Sequence, residues 1–152
     1  MTIMGTTFDS IIDLALVSIQ DYKLDKLCVT SPDDFDKITN AFLIRGLPNF
    51  TCCKKSLAYD TAERKFVVDL EPLEISILAD LWVYEWMNWH VNNVTQFENK
   101  MTPSDFKHYS EAENLKQKSE QLDKIREKFN QKMIDYQLKY NDWSGWAGGS
   151  YL

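Results

Sequence analysis

The 152-residue sequence is poor in the residues that mark catalytic or extracellular chemistry. It holds three cysteines, Cys28, Cys52 and Cys53. An odd number with two adjacent is no disulfide framework, because neighbouring cysteines cannot readily bridge to each other. Free buried thiols in a reducing compartment are the expectation. The two histidines, His90 and His108, form no HExxH, CxxC or CxxH pattern, so a metal centre fails on counting. Cys52-Cys53 with His90 is the one combination that can be imagined. The five glycines (5, 46, 145, 148 and 149) build neither a P-loop nor a dinucleotide fingerprint. There is no GxSxG elbow and no cysteine-protease signature. These absences argue against an enzyme and against a bound cofactor. No apolar run is long enough for a membrane helix, since Asp80 and Glu85 break the richest stretch, Ile75 to Trp89. Asp9 and Asp13 interrupt the N-terminal apolar stretch, which has no basic region before it; a secretory leader is not expected. The two glycosylation sequons, at Asn49 and Asn93, carry no weight without such a leader. Positive charge is also short. Seventeen Lys and Arg against 23 Asp and Glu leave a net charge of −6, a poor basis for neutralising nucleic-acid phosphates.

What is present is a globular composition, 44% hydrophobic and 26% charged, over the length of one domain. Phe8, Ile11, Ile12, Ala15, Leu16 and Ile19 recur at steps of three and one, which predicts a first helix from about Thr7 to about Lys23. Thr6 or Thr7 can cap it, with Asp9 in the first turn. Ser31-Pro32-Asp33-Asp34 opens a second helix with Ser31 as N-cap. Phe35, Ile38, Ala41, Phe42 and Arg45 follow at helical spacing, Gly46 stands as the residue after its end, and Pro48 prevents continuation. Leu57–Asp60 and Lys65–Leu70 flank the polar turn Thr61-Ala62-Glu63-Arg64 and predict a β-hairpin near 57–70.

Pro72 opens a third helix, expected to run to about Asn92 and apolar over most of its circumference. Trp82, Trp86 and Trp89 form a stripe on it, read either as core or as a surface between subunits. Thr102-Pro103-Ser104-Asp105 opens a short turn, and Ser110 with Glu113 makes a capping box. That box starts a long helix from about Glu111 to about Tyr140, some ~45 Å in length. Its apolar residues Leu122, Ile125, Phe129, Met133, Tyr136 and Tyr140 define a narrow seam, which packs on its own domain or pairs as a coiled coil. Eight Lys or Arg against seven Asp or Glu give residues 105–140 a net +1, so the acid sits in the first 104 residues. The basic helix is either a solvated face or a surface complementary to the acidic body of a neighbouring copy. The chain therefore reads as mainly α, a helical bundle over residues 1–142 with a small hairpin. Residues 143–152 follow as an extended C-terminal arm carrying Trp143, Trp146, Tyr151 and Leu152. Aromatics on a glycine-rich segment are a solubility liability unless a partner buries them, so the arm reads as a docking element rather than an idle tail.

The order of elements is similar to that of a known family. A hairpin follows an N-terminal helix pair. Asp69-Leu70-Glu71-Pro72-Leu73-Glu74-Ile75-Ser76-Ile77-Leu78-Ala79-Asp80-Leu81 then opens an apolar helix. The connection Met101 to Ser110 leads to a long Lys/Glu helix ending in Tyr140. Over roughly residues 8–142 the chain resembles the small head–tail connector (adaptor, or neck) proteins of tailed bacteriophages. The resemblance implies a virion structural protein and no enzyme. Subunits of that family are made in the host bacterial cytoplasm and form a ring, commonly of twelve copies, beneath the portal protein in the virion neck. The ring extends the DNA channel, through which DNA passes without specific binding, and offers a surface to the next neck or tail protein. A C-terminal segment reaching onto the portal recurs there, which would make Trp143, Trp146, Tyr151 and Leu152 partner-binding residues. From the residues alone the rival reading is a small cytosolic helical regulator or adaptor, dimerising through the last long helix.

Overall fold

The computed structural model describes residues 5–98 and 107–141, with side chains over residues 5–92 and 116–141. Among the described residues five helices and one two-stranded sheet occur in the order α1 (Phe8–Leu16), α2 (Tyr22–Thr30), α3 (Pro32–Gly46), β1 (Tyr59–Asp60), β2 (Lys65–Phe66), α4 (Pro72–Glu98) and α5 (Lys107–Tyr140). A 3-10 turn, Leu47–Asn49, follows α3. The mainly α class with a small hairpin is the architecture the patterning predicts. Among the described residues no helix is long and apolar enough to cross a membrane.

α1 starts as expected: Thr7 Oγ1 accepts from the Ser10 N–H at 3.3 Å, and Phe8, Ile11, Ile12 and Ala15 are buried. It stops well short of Lys23. The Ser18 and Ile19 N–H groups turn back to Ala15 and Leu16, three residues away, which tightens and ends the helix. Asp21 then caps a separate helix, its Oδ1 accepting from the Lys23 and Leu24 N–H groups at 2.9 and 3.2 Å. The apolar period runs through this break because Ile19 still packs against the core.

α3 begins at Pro32, but the Ser31 hydroxyl donates to Asp34 Oδ2 at 2.8 Å instead of accepting from the backbone. Gly46 is the last residue of α3, not the one beyond it, and its φ of −74° is ordinary for a helix. Its small size has another cause. A Cβ there would lie 3.2 Å from the Leu81 Cβ, so Gly46 lets α3 and α4 approach closely.

The hairpin pairs Tyr59 with Phe66 and Asp60 with Lys65 around the four-residue turn 61–64. A two-stranded hairpin is marginal alone. Here the N-terminal segment lies against β2: Phe66 N–H donates to Thr6 O at 2.8 Å, Thr6 N–H to Val68 O at 3.1 Å, and Phe8 N–H to Arg64 O at 2.8 Å. Gly5 enters this strip at φ +111°, where a Cβ would run into the Phe66 carbonyl oxygen. Arg64 closes the turn at φ +50°, and its guanidinium is pinned by Asp9 Oδ1 at 2.9 Å, Asn40 Oδ1 at 3.1 Å and Asp36 Oδ1 at 3.5 Å. One side chain thus ties the hairpin to α1 and α3.

α4 is the hub and extends to Glu98, past the expected end near Asn92. Ile77, Leu78, Leu81 and Trp82 are wholly buried among α1, α3 and α5. The seam of α5 packs antiparallel on α4, with Tyr136 beside Glu74, Lys132 beside Ser76 and Phe129 beside Tyr84. α5 already runs at Lys107, so Ser110 and Glu113 lie inside the helix and cannot box its start. The Thr102–Asp105 turn lies outside the described residues.

Candidate interaction surface

Two polar clusters hold the body together, and they use carboxylates that could otherwise be taken for chemistry. Glu74 is fully buried. Its Oε2 accepts from the Glu71 N–H at 2.9 Å, closing the first turn of α4, and lies 3.4 Å from Lys55 Nζ. Its Oε1 accepts from the Tyr136 hydroxyl at 2.7 Å, and that hydroxyl accepts from the Lys54 N–H at 2.9 Å. Burial pushes Tyr136 above the usual phenol range; the Lys54 bond works against this and the Glu74 bond adds to it. Cys53 lies beside this cluster, and burial above all raises its thiol, which disfavours the reactive thiolate. Asp80 forms the second cluster. Its Oδ2 is held by the Lys132 ammonium at 2.7 Å, with Lys128 at 3.6 Å from Oδ1. Both clusters staple α5 to α4.

An apolar groove of about 390 Å³ lies between α2, α3 and the middle of α4. α2 supplies Leu24 and Leu27, α3 supplies Ile38, Ala41 and Phe42, and α4 supplies Trp86 and Trp89. Asp21, Lys23, Arg45 and His90 stand around it. The tryptophan stripe divides here. Trp82 is core, its Nε1–H donating to Thr39 O at 2.8 Å. Trp86 is half-buried and donates to Asp21 Oδ2 at 2.8 Å. Trp89 is 46% exposed, packed edge-on against Phe42 at 6.2 Å and His90 at 5.0 Å. The core reading of the stripe holds for Trp82, while Trp89 is left partly exposed.

Asp21 organises this wall. Besides capping α2 and bonding Trp86, its Oδ2 lies 3.2 Å from His90 Nε2. Burial raises its carboxyl, but the bonds from Trp86, Leu24, His90 and Lys23 outweigh that and hold it below the usual carboxylate range. Burial pushes the Glu85 carboxyl up, with Arg45 and the Asn49 amide acting in the opposite direction. Among the described residues no group of three His, Cys, Asp or Glu can hold a metal. Cys52 lies against Met133 on α5, whereas His90 belongs to the groove.

The predicted docking residues Trp143, Trp146, Tyr151 and Leu152 lie outside the described residues. The pattern of the sequence did not single out the groove. Its one local signal was Asp21, an acidic cap just before Leu24. No family model matches the chain, and neither a curated protein nor a solved structure matches it.

Proposed function

We propose that this chain is a structural subunit of a tailed-bacteriophage neck, a head–tail connector that assembles as a ring on the portal protein and extends the DNA channel. It is made in the host bacterial cytoplasm, acts in the virion, and presents a face to the next neck or tail protein. The observation that carries the reading is the combination of a helical body with an exposed aromatic groove and, later in the sequence, a segment, 143–152, rich in apolar residues. Such surfaces serve assembly, since exposed aromatics cost solubility unless a partner covers them. The acidic body, with net charge −6 for the chain, suits a channel wall that repels DNA and leaves it mobile. The order of elements from the hairpin onward adds its weight to the resemblance, although three helices and not a pair precede the hairpin. The rival, a coiled-coil regulator dimerising through α5, has less to work with, because the seam it needs is packed on α4 through Phe129 and Tyr136.

The test is co-sedimentation with the portal ring encoded in the same genome, followed by imaging of the pellet. A second ring beneath the portal is the expected result. A chain that stays in the supernatant as a stable dimer overturns the reading and favours the regulator.

A further inference from the structure

The groove is open and apolar, and the chain carries a segment of matching chemistry. Its floor is apolar and aromatic, with Trp89 46% and Ile38 40% exposed. Lys23 and Arg45 line it, and Arg45 also acts on the neighbouring Glu85 carboxyl. The segment after α5 begins Asp142-Trp143-Ser144-Gly145-Trp146, a carboxylate directly beside a bulky aromatic with a second aromatic three residues on.

Reach decides which copy supplies it. α5 ends beside the start of α4, where Lys139 Nζ is 3.4 Å from Glu71 Oε1. Trp86 and Trp89 lie 15 and 18 residues further along α4, which at 1.5 Å per residue is ~22 and ~27 Å away. A fully extended chain carries the Trp143 backbone only ~7 Å beyond Asn141, and that of Trp146 only ~17 Å. The two tryptophans of one arm therefore cannot both enter their own groove.

We propose that the groove between α2, α3 and α4 receives the Asp142–Trp146 segment of a second copy of this chain. The tryptophans fill the apolar floor, and Asp142 faces Lys23 and Arg45. The contact is heterologous, arm to groove, and repeated contacts of that kind run head to tail and close into a ring when the rotation allows. Ring closure on a portal rests on the connector reading; the pairwise contact does not. The arm then divides its work: Trp143 and Trp146 join neighbours, and Tyr151 and Leu152 lie beyond them to meet the portal.

The experiment is sedimentation velocity of the full chain, without portal, over a range of concentrations. The wild type is expected to self-associate. An arm variant (Trp143→Ala with Trp146→Ala) and a groove variant (Ile38→Asp) are each expected to associate at least ~30-fold more weakly, the scale of losing an aromatic anchor. Mixed together they should form a one-to-one dimer, because one retains its groove and the other its arm. Arg45→Glu should weaken association on its own, and mixing it with Asp142→Lys should restore it. Arg45 is exposed, so this pair of variants tests the contact even if Ile38→Asp disturbs folding. A monomeric wild type, association unchanged in both variants, or a mixture that fails to pair overturns the proposal. Failure of the connector reading appears elsewhere, as no pelleting with the portal ring while the arm-to-groove dimer still forms.

Discussion

Replacing Tyr136 with Phe removes a single oxygen from the interior and tests how the body is held together. That hydroxyl donates to Glu74 Oε1 at 2.7 Å and accepts from the Lys54 N–H at 2.9 Å. Both tyrosine and glutamate are 0% exposed, so no water takes the vacated place. The ring of Phe fits the same space, and its edge-on contact with Phe50, at 5.3 Å between centroids, is retained. The cost is therefore polar. A hydrogen bond to a charged group contributes roughly 1.5–3 kcal/mol, and the backbone N–H left behind adds a desolvation penalty, for a total of ~2–4 kcal/mol. In a domain of this size that lowers Tm by on the order of 5–10 °C. The assay is urea unfolding followed by far-UV circular dichroism, with a lower midpoint and an unchanged slope expected. Tyr140→Phe is the control. Its hydroxyl is pushed up to about 12, chiefly by the bond to Glu71, but the residue sits at the exposed end of α5, and its loss should leave the midpoint nearly unchanged. If Tyr136→Phe shifts the midpoint no more than the control does, the Glu74 cluster is not what fixes α5 to α4.

The hairpin turn separates backbone from side chain. Arg64→Gly and Arg64→Ala both lose the bonds to Asp9, Asp36 and Asn40, but Ala at φ +50° is strained where Gly is not. Thermal melts should place the Gly variant above the Ala variant by ~1 kcal/mol, and equal melts would remove the strain argument. Gly5→Ala should be costlier, ~2 kcal/mol or more, because a positive φ and a collision with the Phe66 carbonyl act together; a melt within error of wild type contradicts the strip of backbone bonds drawn there. Asp21 governs acid behaviour on the groove side. Its carboxyl is held below 3.8, so its contribution is complete above that pH and is lost as pH falls through the lower folded value. Asp21→Asn should accordingly lie below wild type in Tm at neutral pH, and the gap should narrow on acidification; a gap that stays constant down to pH 2 refutes the assignment.

The sequence makes local structure legible wherever cause and effect lie within a few residues. The Thr7 cap, the start of α3 at Pro32, the turn 61–64 and the start of α4 at Pro72 all depend on neighbours in the chain. α2 escaped because two local signals conflicted. The apolar period continues through Ile19, and that continuity hid the break that the cap at Asp21 announces. The long helix ran the other way: Ser110 and Glu113 offer a box, yet α5 is already under way, since a capping pattern permits a helix start without requiring one. The polar clusters were out of reach for a different reason. Glu74 and Tyr136 stand 62 residues apart, and Trp86 and Asp21 stand 65 apart, so only the packed fold brings each pair together.

α3 shows why the interaction surface was the hardest part to read. Phe35, Ile38, Ala41, Phe42 and Arg45 recur at helical spacing and look like one face. In the fold Phe42 is buried with Thr39 and Leu43, while Ile38 and Ala41 line the groove wall and Arg45 its rim. Periodicity reports that a stripe must be covered; it carries no information about what covers it. The stripe on α3 is wider than α4 can bury, and the same holds along α4, where Trp82 goes inside and Trp89 stays out. An apolar face that exceeds the capacity of its own core stays partly exposed, as Ile38 and Trp89 do. It becomes visible as such only once the intramolecular packing has been subtracted. Other apolar side chains are exposed too, Val17, Tyr22, Val29 and Val67 among them; what sets Ile38, Ala41 and Trp89 apart is that they line one groove, which is where the proposed arm-to-groove contact falls.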